Sequence, residues 1–320
     1  MAARTGIDTP IFIGGRTSGS ALPDHHYRIA GLDLAIDQPL PHFKPFPLPT
    51  VESGSARLSV RTHDGADETQ RSPAAWQRSS RGLIGRRERD VTISGASAAL
   101  TLAIEDLGNF RIELPDQLWY PAALSAEALT EALCGPLLPL VLSHHDTYCL
   151  HAAAFRHRSG LTLLLGSSGA GKTTLSRALA EAGAGLWADD TVAVRCGGAS
   201  AICPGHYPQP KWPRWRATLT EPECVITHLV FLQPYKTGDV APGDGSEQVT
   251  VTPLTPAEAT LGAVEHTLTG RLFSPEGLRR HLQFAAALSK RTTACRLSYP
   301  QEPAALPSMV DCLKAVTPWR

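Results

Sequence analysis

The sequence predicts an α/β protein with a phosphate-binding glycine loop in its C-terminal part and a smaller, β-rich portion before it. Three observations carry that reading. Short runs such as "YRIAGLDLAID" (27–37), "ARLSVRTH" (56–63), "RDVTISGASAALTLAIED" (89–106) and "NFRIELP" (109–115) alternate apolar and polar residues between Gly, Pro and Asp breaks, the period-two pattern of strands. From Ser125 onward helical spacing enters, and strands then alternate with helices, which implies a sheet covered by helices. Between them "LTLLLGSSGAGKTTLSRAL" (161–179) reads as strand, glycine turn and helix.

Taken in order, residues 1–24 are rich in Gly, Ser and Thr and are expected to be flexible. Residues 25–143 form the β-rich portion; within it "QPLPHFKPFPLPT" (38–50) is an extended connector and the polar stretch Asp64–Arg86 is expected as a loop. "SAEALTEALCGPLLPLVLSHH" (125–145) has helical spacing interrupted at Gly135–Pro136, and a domain boundary is placed there, with 144–320 as the second unit. "TYCLHAAAFRHRSG" (147–160) reads as a strand and hairpin turn. A helix Lys172–Glu181 ends at Gly183, and "GLWADDTVAVRC" (185–196) is the next strand. "PGHYPQPKWPRW" (204–215) is a proline-rich loop. "THLVFLQPY", "QVTVTPL" and "TTACRLSYP" read as strands; "TPAEATLGAVEHTL", "SPEGLRRHLQFAAALSK" and "EPAALPSMVDCLKAV" read as helices.

Bulk properties narrow the function. Thirty basic residues balance 30 acidic ones, so charge favours neither nucleic acid nor an anionic membrane surface. No apolar run approaches the roughly 20 residues of a membrane span. The N-terminus lacks a long apolar region of the signal-peptide kind. Seven scattered cysteines without a C-x-x-C pair fit reduced thiols, and a cytoplasmic location is expected. His144, His145 and Asp146 are consecutive and do not converge on one ion, so metal chemistry beyond Mg²⁺ is not expected.

Gly166-Ser167-Ser168-Gly169-Ala170-Gly171-Lys172-Thr173 fits G-x-x-x-x-G-K-[ST], with Thr174 following. Glycine lets such a backbone curl until several N–H groups face phosphate oxygens, and the following helix adds its positive end. Lys172 is expected to reach the β- and γ-phosphates of ATP, and the Thr173 hydroxyl to bind Mg²⁺. Asp189 and Asp190 come 16 and 17 residues after Thr173, at the end of an apolar run. One carboxylate could hold Mg²⁺ and the other accept a proton from a hydroxyl.

"LHAAAF", "LLLGSSGAGKTTL" and "GLWADDTVAV" together resemble the catalytic domain of HPr kinase/phosphorylase, whose P-loop is related to that of PEP carboxykinase. The whole chain resembles HPr-kinase-related proteins of bacterial peptide biosynthetic clusters, among them lasso-peptide precursor kinases, more than HPr kinase itself. That resemblance implies Lys172 and Thr173 as the phosphate and Mg²⁺ residues, Asp189 as the base and Asp190 as the Mg²⁺-side acid. It also implies His151, 22 residues before Thr173, beside the transferred phosphate. It implies a serine of a peptide or small protein as the acceptor. HPr kinases form rings through their catalytic domains, so a homo-oligomer is one state open to this chain. The sequence departs from HPr kinases after the acid pair: "CPGHYPQPKWPRWRATL" stands where they carry an acid-containing signature, which argues against HPr itself and against phosphorolysis. Lys211, Arg214 and, further on, Arg271 are candidates for contacting phosphate or an acidic peptide.

Three function classes remain open on the sequence. A phosphotransferase leads, with a small-metabolite hydroxyl as the alternative acceptor. A transporter-type ATPase would need a Leu-Ser-Gly-Gly-Gln string, which does not occur. A catalytically quiet nucleotide-binding assembly protein is the third.

Overall fold

The structure is a computed structural model that describes residues 25–41, 43, 56–63, 74–85, 87–96, 98–205, 207–209, 223–236 and 248–317. The expected flexible segment 1–24 and most of the proline-rich connector lie outside the described residues, as do Lys211 and Arg214.

The molecule is α/β with two mixed sheets. The first has eight strands: β1 (His25–Ile29), β2 (Leu32–Ile36), β3 (Ala56–His63), β4 (Trp76–Ile84), β5 (Arg87–Ala96), β6 (Ala99–Ile104), β7 (Gly108–Glu113) and β8 (Gln117–Pro121). They run in the order β1-β2-β3-β8-β7-β6-β5-β4. Only β2–β3 and β3–β8 are parallel. Leu32, Leu34 and Ile36 face the core together with Ile93, Leu102, Phe110, Ile112 and Leu118, which is the alternation the sequence carries. β4 corrects the expected loop Asp64–Arg86 over Trp76–Ile84; residues 64–73 and 86 lie outside the described residues. β4 is an edge strand whose core side carries Arg78, Ser80 and Gly82 between Trp76 and the buried Ile84, so it has no apolar alternation to read.

α1 (Ala126–Ala132), capped by the Ser125 hydroxyl on Ala128 N, leads through a π turn at Leu133–Leu137 into α2 (Leu138–His144). The break falls where Gly135 and Pro136 stand, with Gly135 at ψ −105°, because proline can neither donate nor fit inside the preceding turn. The continuous helical stretch Ala126–His144 is long and apolar enough to cross a membrane by length and composition, and 67% of its apolar window is buried inside the fold.

The second sheet comprises β9 (Thr147–His157), β10 (Gly160–Leu165), β11 (Gly185–Ala188), β12 (Thr191–Gly197), β13 (Ser200–Cys203), β14 (Cys224–Tyr235), β15 (Thr250–Pro253) and β16 (Thr293–Pro300). The helices around it are α3 (Lys172–Glu181), α4 (Pro256–Glu265), α5 (Pro275–Arg291) and α6 (Leu306–Val316). β10 pairs antiparallel with β9 and parallel with β14, so the pairing β10-β9-β12-β13-β14 returns on itself. Both faces are covered. Phe155, Leu164, Val230 and Leu297 pack with α3 and α6, whereas Ala152, Ala154, Leu163 and Leu229 join a core continuous with the first sheet, α1 and α2. Burial on both faces explains the unbroken apolar run of β10. That continuous core runs across the boundary drawn at 143/144.

Candidate functional site

Three segments meet where β9 passes His151 and Ala152. On one edge β10 ends with Leu165 opposite Ala152, and the glycine loop begins at Gly166. One residue further along the same edge, His151 N donates to His266 O (2.8 Å) and Leu150 bridges Thr267. On the other edge β11 pairs with residues 154–156 and β12 with 147–151. Between them the chain bends at Asp189 and Asp190, and Ala152 N donates to Asp190 O (3.2 Å). The expected single strand over 185–196 is therefore two, and the acids occupy the break.

The loop is built by its glycines. Gly169 and Gly171 sit at φ +83° and +81°, the left-handed region that an L side chain disfavours. A Cβ on Gly166 would stand 3.1 Å from both Ala170 Cβ and Leu232 Cβ. Ala170 N donates to Ser167 O (3.2 Å) and the Tyr299 hydroxyl to Ala170 O, which pins the turn to β16. Burial raises the Tyr299 hydroxyl to about 12, so it remains a donor. Ser167, Ser168, Gly169 and Thr174 are exposed, and Thr173 is half-buried in the first turn of α3. Lys172 is 7% exposed and folds over the loop, with Nζ donating to Gly166 O (2.7 Å) and Ser167 O (3.1 Å).

His151 is half-buried. Its Nδ1 lies 3.1 Å from Asp190 O and 3.5 Å from Asp190 Oδ1. A carbonyl accepts only, so the Nδ1 nitrogen carries the proton in the neutral ring. Asp189 and Asp190 are both partly buried, and Asp189 Oδ1 is shielded from solvent. Among the described residues no group of three or more His, Cys, Asp or Glu is placed to hold a metal ion.

Two residues that the sequence reading did not single out join the cluster. His266, at the C-terminal cap of α4, offers its carbonyl to His151, and its ring packs on Phe231 at 6.2 Å between centroids. Burial and the Lys172 charge lower its pKa, against an opposing effect of Glu265. Gln209, 5% exposed, accepts from Asp189 N (3.2 Å), Asp190 N (2.8 Å) and Thr191 N (3.3 Å) through one oxygen. Its Nε2 donates to Thr191 O (2.6 Å) and Tyr207 O (3.0 Å). Tyr207 in turn donates its hydroxyl to Cys134 O (2.8 Å) in the π turn. The polar Gln in a proline-rich stretch was the available signal, but nothing local marks it as buried.

The structure thus gathers Gly166–Thr173, His151, Asp189 and Asp190. Arg271 is not brought to them: Leu268 N already pairs with Cys149 O, so the chain runs back along β9, and Arg271 is exposed on a 3₁₀ turn packed beside β4.

No family model matches the chain, and no curated protein matches it. Among solved structures it is similar to the Hpr(Ser) kinase/phosphatase from Coxiella burnetii, with 14% identity and a TM-score of 0.29, over 52% of this chain and 88% of that one. A superposition at that score carries no argument, and the functional reading rests on the residues of the site.

Proposed function

We propose that the chain is an ATP-dependent phosphotransferase that moves the γ-phosphate of ATP to a hydroxyl, with a serine of a peptide or small protein as acceptor. The observation that carries the reading is the meeting, at one level of β9, of the Gly166–Thr173 loop with the acid bend at Asp189–Asp190 and His151. The residues fit a nucleotide–Mg²⁺ pair: a curled glycine loop, a buried ammonium poised over it, a hydroxyl at the helix start and two carboxylates. Thr173 and Asp190 would hold Mg²⁺, which neutralises phosphate charge when bound.

Each chain residue then has a defined task. Lys172 offsets the charge that gathers on the phosphate oxygens as the γ-phosphorus leaves the bridging oxygen. Asp189 takes the proton of the acceptor hydroxyl as that oxygen bonds phosphorus. His151 supplies a polar contact whose orientation is fixed through Nδ1. Most of the acceleration would come from positioning and charge. The choice of serine rests on the resemblance of "LHAAAF", the P-loop and "GLWADD" to peptide-modifying relatives.

Incubation with γ-labelled ATP and Mg²⁺, with a degenerate serine-peptide library or a panel of small hydroxyl metabolites, tests the reading. Label on serine peptides is the expected result. Label on metabolites alone would replace the acceptor. ATP binding without turnover would make the chain a quiet nucleotide-binding protein, and acceptor-independent phosphate release would make it a hydrolase.

A further inference from the structure

We infer that Gln209 is the positioning residue that aims the acid pair, an inference that rests on the transfer reading of Asp189 and Asp190. At the break between β11 and β12 the N–H groups of Asp189, Asp190 and Thr191 all turn toward one atom, Gln209 Oε1, at 3.2, 2.8 and 3.3 Å. Three successive donors left unsatisfied in a partly buried bend would each cost about 1–3 kcal/mol. Satisfying them through one oxygen fixes the peptide planes on both sides of Asp189 and Asp190, and so fixes where their Cα–Cβ bonds point.

The chemistry demands an amide. The same side chain must accept three hydrogen bonds and donate two, to Thr191 O and Tyr207 O. A glutamate could accept but not donate. It would also set a third negative charge beside two carboxylates whose ionisation the reaction depends on. Glutamine fills the converging N–H groups with a neutral oxygen and leaves the acids to face charge elsewhere. Its own backbone is held from the far side, since Tyr207 is anchored on Cys134 O where the π turn opens the helix. A line of hydrogen bonds therefore runs from the kinked helix through Tyr207 and Gln209 to the acids. The sequence analysis left that kink and the proline-rich loop as separate features.

The test uses the full chain with Gln209→Ala and Gln209→Glu, ATP·Mg²⁺ and the serine-peptide library. Gln209→Ala should lower kcat by about a hundredfold, the cost a 1 Å misplacement can carry, with a smaller rise in KM for ATP because the P-loop is untouched and Asp190 alone of the proposed Mg²⁺ residues moves. Gln209→Glu keeps the acceptor and the volume. It should lower kcat too, because a carboxylate cannot donate to Thr191 O and Tyr207 O. If Gln209→Ala does not fold, kcat of Gln209→Glu decides. Unchanged kcat in both variants would overturn the inference, as would amide exchange at Asp190 and Thr191 equal in Gln209→Ala and wild type. If the wild-type chain binds ATP but transfers nothing, the transfer reading falls alone, and amide hydrogen exchange judges the clamp. Exchange at Asp190 and Thr191 at least tenfold faster in Gln209→Ala upholds it, and equal exchange refutes it.

Discussion

Gly262→Ala sets two effects against each other, and the structure decides between them. Gly262 lies in α4, where alanine is favoured over glycine by about 0.8–1 kcal/mol. A Cβ there would stand 2.3 Å from Phe231 Cε1 and 2.9 Å from Cδ1 and Cζ, whereas ordinary contact begins at 3.4 Å. The helix or the ring must therefore shift by roughly 1 Å. The ring has little freedom: Phe231 is buried in β14, in register with Leu165 at the start of the glycine loop, and touches His266. Overpacking of this kind costs about 1–3 kcal/mol, so the expected net is a loss of up to about 2 kcal/mol in urea unfolding despite the better helix residue. The same shift moves His266, whose carbonyl receives His151 N, and should reduce ATP turnover by one to two orders of magnitude. A Gly262→Ala protein that is more stable than wild type, with unaltered turnover, would show that α4 does not lock the site.

Lys172→Ala should abolish ATP turnover, measured by phosphate release. Asp189→Asn should leave ATP affinity near wild type in calorimetry while stopping transfer; lost binding would exchange the roles of the two acids. His151→Ala should slow transfer with the melting temperature held within a few degrees, and a collapsed melt would instead make it a structural strand histidine. Stability should also fall in acid because of His281, which is 2% exposed and stacked on Tyr148, and whose pKa burial lowers to about 4. The unfolded ring binds its proton near pH 6.5, so between 6.5 and 4 the unfolded chain holds more protons. The contribution is therefore full above 6.5 and lost on acidification, by about 2 kcal/mol at pH 5. His281→Phe should flatten that slope in denaturant titrations across pH, and an unchanged slope would assign the acid sensitivity elsewhere.

What the sequence made legible was local. The helix over Lys172–Glu181 has the bounds that its glycines and its period imply. The interruption at Gly135–Pro136 follows from proline geometry alone. β4 was not legible because the side it turns to the core carries Arg78, Ser80 and Gly82 between Trp76 and Ile84. The break in 185–196 was hidden because Asp189 and Asp190 interrupt an apolar run no more than a solvated turn would. What marks the bend is Gln209, 19 residues away in sequence from Asp190, taking three successive N–H groups that a continuous strand would point alternately to its two sides. Arg271 is a candidate phosphate or peptide contact in the sequence, and the pairing of Leu268 with Cys149 shows that the backbone carries it away.

β9 explains why these scattered segments come together. It is buried along nearly its whole length and has partners on both edges, yet each edge changes partner at the same level. On one edge β10 leaves at Leu165 to become the glycine loop, and His266–Leu268 takes up the vacated positions. On the other edge β11 gives way to β12 across the acid bend. A change of partner is where backbone hydrogen bonds must be redirected, and it is therefore where side chains such as Gln209 are needed to absorb them. Two such changes facing each other across one strand set the glycine loop and the acid bend on opposite edges of β9. The chemistry-bearing residues then occupy positions that the pairing has already fixed, which is the condition a transfer site needs to hold its groups without reorganising during the reaction.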